Sequence, residues 1–371
     1  MVMGRSCALT AVTVFLAASL GLKENTVRQR LREWCYGAED KAGEHRQELH
    51  VGSCFVPLLQ WILSSWRGTQ LALALDATTL GQRFTVLTIS VVYRGCAIPV
   101  SWKVLAATKK HAWRGEWMRM LRQLRPAIPA GYTVIVLADR GLYARWLYRR
   151  IVRLGWHPFL HINAGNFFRP TGHHCYCPLS YFTPRTGTKW SGTGMAFKGR
   201  GTRLECTLLA CWEEGYKDAW FILTDLPPEA SDVCWYGMRT WIEQGYKITK
   251  RGGWQWQRTR MTDPDRASRL WLAVAVATLW LLSVGGEADP QIPESTLPDM
   301  GDILLRRRRQ RKATHLRLVS VFRRGWVRIL VALFNGQLLP PGSFAPDPWP
   351  MSTHDTAIRG AMPAHMLGAS P

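Results

Sequence analysis

Between Gln70 and Ile162 the chain reads as strand, strand, strand, helix, strand, helix, strand, and few folds accept that order. LALALDATTL, RFTVLTISVVYRG and AIPVSWKVLAA are β-rich runs with turns at Gly81 and Arg94-Gly95. A helix over roughly Trp113–Arg125 is closed by Pro126. YTVIVLADRG then forms a continuous apolar run of the kind a buried strand shows. A basic helix from Tyr143 to Leu154 and a strand at HPFLHI complete the unit. The order predicts an α/β fold, a mixed sheet flanked by helices.

Acids are scarce here, so their positions carry information. From Leu71 to Leu204 the only acids are Asp76, Glu116 and Asp139. Asp76 is predicted to end the first strand and Asp139 the fourth. In an RNase H-like sheet of this order those strands are neighbours. Each Asp alone is equally readable as a turn former, Asp139 especially because a Gly follows two residues on.

A third acid comes from SDVCWYGMRTWIEQGYKITKRGG, Ser231 to Gly253. Tyr236, Arg239, Glu243, Tyr246 and Lys250 recur at steps of three, four, three and four. On one helix those steps share a face. Ser231 or Asp232 would cap the start, and Gly252-Gly253 would stop the helix. One Glu among two cations and two phenols suits a site that holds metal and gathers phosphate, but the same pattern fits a solvated charged face.

Lys and Arg number 48 against 26 acids, a formal charge of +22. Such an excess points to a polyanion, nucleic acid before an anionic membrane surface. Residues 140 to 204 hold eleven Arg or Lys and no acid, interleaved with aromatics. The 19 Trp are core residues by default and base-stacking platforms by exception. Nine Cys without regular spacing fit reduced thiols in a cytoplasmic protein. His173, His174, Cys175 and Cys177, with Cys206 and Cys211, lack the paired spacing of a zinc site.

The ends are predicted helical. Cys7 to Trp34 outlines two helices around Gly21, the second bearing Arg28, Arg30 and Arg32. That is compatible with a DNA-reading helix-turn-helix and equally with a structural hairpin. The apolar run Leu270–Val284, about 15 residues, falls short of the ~20 that span a bilayer, so a buried helix and no membrane span are expected. A last helix over Ile303–Leu333 carries RRRRQRK and then a stripe of Leu316, Val319, Phe322, Trp326, Ile329 and Leu333. The expected division is a helical DNA-binding region at 1–68 and a catalytic domain at 69–285 with a β-rich insertion about 164–226. A linker and basic helix follow at 286–338, then a disordered Pro-rich tail at 339–371.

Asp76, Asp139 and Glu243 are thus three carboxylates placed to hold two Mg²⁺ for an in-line phosphoryl displacement. The spacing Tyr236-x2-Arg239-x3-Glu243-x6-Lys250 resembles the Tyr-Arg-Glu-Lys signature of a major group of bacterial insertion-sequence DDE transposases. ADRG at 138–141 and LDATTL at 75–80 are similar to the contexts of that group's two Asp residues. A β-rich insertion like the group's accounts for the 103 residues between Asp139 and Glu243.

The resemblance implies cut-and-paste transposition with Mg²⁺, for which Mn²⁺ can substitute. Double-stranded element ends and target DNA would be bound by a homodimer in a synaptic complex, with a hairpin intermediate. Tyr236, Arg239 and Lys250 would grip the backbone and help hold a flipped base. Where members often carry Trp after the signature Arg, this chain has Thr240, with Trp241 about 100° further round a helix. Trp190, Trp212 and Trp220 are the alternative stacking candidates. An RNase H-like nuclease without strand transfer, or a catalytically silent DNA-binding regulator, are the competing functions.

Overall fold

The computed structural model describes residues 1–44, 46–108, 113–288 and 319–351, and the backbone of 358–359. Helices α1 (Leu9–Leu20), α2 (Glu24–Cys35) and α3 (Phe55–Ser64) precede strands β1 (Gln70–Leu80), β2 (Phe84–Tyr93) and β3 (Cys96–Ala106). Next come α4 (Trp113–Leu124), β4 (Thr133–Ala138), α5 (Arg145–Arg153) and β5 (His157–His161). The remaining strands are β6 (Phe167–Pro170), β7 (Cys177–Pro178), β8 (Thr188–Ala196), β9 (Leu204–Trp212) and β10 (Trp220–Thr224). Helices α6 (Trp241–Lys247), α7 (Pro264–Glu287) and α8 (Val321–Phe334) follow, and the short β11 (Ile358–Arg359) comes last. The strands form one mixed sheet in the order β3-β2-β1-β4-β5-β10-β9-β8-β6-β7, with β11 beside β8.

The alternation in LALALD decides which side of the sheet carries the chemistry. Leu71, Leu73 and Leu75 pack into the main core, which also takes in residues of α3, α4, α5 and α7. Ala72 and Ala74 point to the other face, against Trp235, Tyr236, Met238 and Ile242. β4 repeats the pattern, with Val134, Val136 and Ala138 on the main-core side and Ile135 and Leu137 on the other. Successive strand residues alternate faces, so Asp76 and Asp139 both follow on the side that faces the stretch from 233 to 247. Parallel pairing of Leu75 with Ala138 sets the two acids side by side.

Asp76 does not end its strand. β1 runs on to Leu80 because it forms a hairpin with β2, Asp76 opposite Thr88, while β4 stops at Ala138. Asp76 sits where β1 outruns its parallel neighbour. The β-rich insertion is continuous with the sheet. β10 pairs antiparallel with β5, and β9, β8, β6 and β7 extend the sheet edge to edge.

α7 has 24 residues, longer than its apolar run suggested, and is long and apolar enough to cross a bilayer by length and composition. Within the fold, 72% of its apolar window is buried. A Cβ on Gly285 would lie 2.0 Å from the Val321 carbonyl oxygen, and one on Gly325 1.9 Å from that of Leu281. α7 and α8 therefore cross with backbones in contact, which only glycine permits. Of the predicted C-terminal stripe, Phe322 and Ile329 are buried, Trp326 half-buried, and Val319 and Leu333 exposed. Leu316 and the Arg run lie outside the described residues.

The described part of the predicted disordered tail is packed. Phe344 is 1% exposed against Trp66 and Tyr93, and Trp349 lies 4.7 Å from the ring of Trp235. The Trp280 indole N–H donates to the Pro340 carbonyl at 2.8 Å. Aromatic burial outweighs the proline content, which removes backbone donors but not side-chain packing.

At the N-terminus α1 ends on Gly21, whose φ of 65° is the left-handed turn glycine tolerates. α2 buries Val27 and Cys35 and exposes Arg28, Arg30 and Arg32.

Candidate active site

The segment opposite Asp76 and Asp139 is helical throughout but not a uniform α-helix. Val233–Thr240 is a 3₁₀ segment capped by Asp232, whose carboxylate accepts from the Cys234 N–H at 2.8 Å. α6 follows, and Ile248–Gly252 widens into a π turn in which the Gly253 N–H reaches Ile248. In a 3₁₀ turn residues three apart eclipse, so Tyr236 and Arg239 project together more closely than an α-helix would allow. Gly245 lets α6 approach β3, because a Cβ there would meet Ala97 at 3.1 Å.

Arg239 is the hub. Its Nη2 donates to Asp76 Oδ2 at 3.1 Å and to Asp139 Oδ2 at 3.2 Å, and its Nη1 to Glu243 Oε1 at 3.1 Å. Each Asp has its other oxygen tied to backbone. Asp76 Oδ1 accepts from the Ala77 N–H at 2.8 Å, and Asp139 Oδ1 from Gly141 and Leu142 at 3.0 and 3.2 Å. Asp139 is therefore both the turn former and a member of the cluster. Glu243, with 54% of its side chain exposed, is the solvent-facing acid, whereas Asp76 is at 16%. Burial pushes the Asp76 carboxyl above the usual carboxylate range, against the pull of Arg239. Burial would lower the Arg239 guanidinium, yet Asp76, Tyr236 and Asp139 together hold it above its ordinary value.

The other two signature residues flank this hub. Lys250 donates to Thr78 Oγ1 at 2.7 Å, and Thr78 follows Asp76 on the same face of β1. Burial, with Arg251 beside it, lowers the Lys250 ammonium below its ordinary value. Tyr236 is 6% exposed, and burial raises its hydroxyl. That hydroxyl is hydrogen-bonded with Nδ1 of His161 at 3.4 Å. Burial and then Arg140 push His161 down to about 4, so the imidazole is neutral. Tyr246 does not share the open face. Its hydroxyl is buried beside Thr88, and its ring bridges both sides of the core.

The stacking candidates separate clearly. Trp190 is 2% exposed among Phe168 and Phe182 and is core. Half-buried Trp212 donates its indole N–H to Tyr216. Trp220 stands edge-on to Tyr236 with ring centres 5.2 Å apart. Thr240 turns its hydroxyl back to the Gly237 carbonyl at 2.8 Å. Trp241 packs on the apolar cluster of that face. The signal for His161 lay in the sequence only as a lone His at a strand end, whose partner is 75 residues away.

Among the described residues no three His, Cys, Asp or Glu side chains gather closely enough to cage a metal ion, Asp76, Asp139 and Glu243 included. The Arg239 guanidinium occupies the space among the three carboxylates. As a donor set, three carboxylates are the hard oxygen ligands that Mg²⁺ or Mn²⁺ takes, so the residues present fit that group. The nine cysteines are free thiols, Cys175 exposed and Cys177, Cys206 and Cys211 buried.

Residues 68–280 match the family model of the transposase DDE domain. No curated protein matches the chain. Among solved structures, the cryo-EM structure of a piggyBac transposase synaptic complex with hairpin DNA is similar at 8% identity and a TM-score of 0.32. That similarity covers 67% of this chain and 59% of the other.

Proposed function

The chain belongs to the transposase DDE-domain family, and from that premise we propose that it is a bacterial insertion-sequence transposase of the Tyr-Arg-Glu-Lys group. It would act on double-stranded element ends and target DNA as a homodimer. The observation that carries this reading is the convergence of Asp76, Asp139 and Glu243, from two parallel strands and one helix, on a single guanidinium. Asp76, Asp139 and Glu243 would hold two Mg²⁺, or Mn²⁺ in their place, and the ions when bound would supply Lewis-acid charge to an in-line phosphoryl displacement.

The protein's own groups do the rest. The backbone amides at Ala77, Gly141 and Leu142 fix one oxygen of each Asp and leave the other turned into the site. Lys250 and Arg239 present cations beside the acids, where they can take up phosphate oxygens and orient the strand. Tyr236, held by neutral His161 and Trp220, forms the wall on the β10 side. Exposed Arg140, Arg149, Arg153, Arg185, Lys198, Arg200 and Arg203 supply the positive surface along which flanking DNA would run.

An RNase H-like nuclease would use the same acids without joining ends, and a silent regulator would use neither. End DNA with an exposed 3′-OH, incubated with Mg²⁺ and a supercoiled target plasmid, separates them. Joined end–target products are expected. Cleavage of end DNA with no joined product under any divalent ion would favour the nuclease, and binding without either reaction the regulator.

A further inference from the structure

We infer that Arg239 is an internal counter-ion that competes with divalent metal for Asp76, Asp139 and Glu243 and yields when a DNA phosphate draws it away. Metal binding and DNA binding then reinforce each other. The inference rests on the reading that these acids are the metal ligands. It adds that the site is closed to metal until Arg239 leaves.

Three observations carry it. Arg239 engages the inward oxygen of each Asp, Oδ2 in both cases, and these are the atoms left over after the backbone amides have taken Oδ1. A divalent ion needs those same oxygens at about 2.0–2.1 Å for Mg²⁺. A guanidinium and a divalent ion seated on the same oxygens repel each other in a site this sheltered. Among the described residues no group of three His, Cys, Asp or Glu is placed to hold a metal ion while Arg239 sits among the acids.

The third observation is Arg239 Nε, buried and without a hydrogen-bond partner. The fork is thus incompletely used in its present seat. A phosphate accepts from Nε and Nη together in a bidentate pair, so a second seat on DNA would satisfy the donor left over in this one. Glu243, one turn along and mostly exposed, marks the side toward which Arg239 can swing. Because coupling free energies are reciprocal, a phosphate that stabilises the outward seat must raise metal affinity by the same factor by which metal raises affinity for DNA.

The test is Mn²⁺ binding to the full chain, followed by calorimetry and by the electron paramagnetic resonance signal of free Mn²⁺, with and without a short duplex. Without DNA, Arg239→Gln should bind Mn²⁺ at least about tenfold tighter than wild type, a difference of about 1.4 kcal/mol. The duplex should tighten wild-type binding by a similar factor and the variant's by less than threefold. If Arg239→Gln folds only with Mn²⁺ present, that dependence supports the inference. Arg239→Lys, which keeps the charge but loses the fork, should then fall between the two. Equal Mn²⁺ affinities for wild type, Arg239→Gln and Arg239→Lys, with Asp76→Asn abolishing binding, would overturn the counter-ion role and leave the metal site standing. Unchanged binding in Asp76→Asn and Asp139→Asn would remove the metal site and this inference with it.

Discussion

The two wings of the sheet pair their strands differently and carry different charges. On one side of the β5–β10 seam, β1 and β4 run parallel, are buried on both faces and deliver two carboxylates in register. On the other, β8 and β9 run antiparallel, and residues 164–204 carry six cations, Arg169, Arg185, Lys189, Lys198, Arg200 and Arg203, without an acid. A parallel pair in register sets Asp76 and Asp139 side by side, and an antiparallel meander lays out a surface. The first wing can position atoms and the second can hold a polymer. Tyr236 stands between them, tied to β5 through His161 and to β10 through Trp220.

The seam should be the most pH-sensitive part of this comparison. His161 is buried and neutral in the fold, with its pKa pushed down to about 4, against about 6.5 when unfolded. Between those values the unfolded chain binds the extra proton, so stability is fully present above pH 6.5 and is lost as pH falls toward 4. The loss amounts to about 3 kcal/mol. Chemical denaturation at pH 7 and pH 4 should show that loss in wild type and not in His161→Gln. Parallel losses in both proteins would mean that His161 does not titrate at the seam.

Next in size is Gly194→Ala, in the wing away from the acids. Its Cβ would lie 2.2 Å from the Arg169 carbonyl oxygen on β6 and 2.8 Å from the Phe168 ring. Overpacking against backbone should cost about 1–3 kcal/mol in a denaturation experiment and weaken DNA binding. Mn²⁺ binding at the acids should stay within twofold. A loss of metal binding would show that the wings are not separable.

The smallest expected effect belongs to Lys250→Ala. Removing one phosphate contact should weaken binding to end DNA roughly uniformly across sequences and reduce the salt slope by about one. A slope unchanged from wild type would return Lys250 to a structural role as the partner of Thr78.

Much of the first wing was legible because its signals are local. The Leu–Ala alternation before Asp76 and the apolar run before Asp139 mark strand and face within ten residues. The steps of three and four through Tyr236, Arg239 and Glu243 likewise read as one helical face. What escaped was set through space. β1 outruns β4 only because β2 folds back on it. The close approach of Gly245 in α6 to Ala97 in β3 joins residues far apart in the chain. Arg239 in the midst of the acids, and His161 beneath Tyr236, are pairings across 75 or more residues that periodicity cannot reveal. In the tail, Phe344 and Trp349 were outweighed by their prolines, although two large aromatics in a short segment are themselves a packing signal.

The proposed chemistry rests on Asp76, Asp139 and Glu243 acting as one site. The most direct measurement is Mg²⁺-dependent scission of linear DNA carrying the element ends. The 3′-OH would be mapped on sequencing gels for wild type, Asp76→Asn, Asp139→Asn and Glu243→Gln at matched DNA occupancy. Each single change should lower the cleavage rate by roughly 10²- to 10³-fold or more, with binding to end DNA retained and the residual rates alike because the acids act as a unit. Cleavage within threefold of wild type in any one of the three variants would contradict the account.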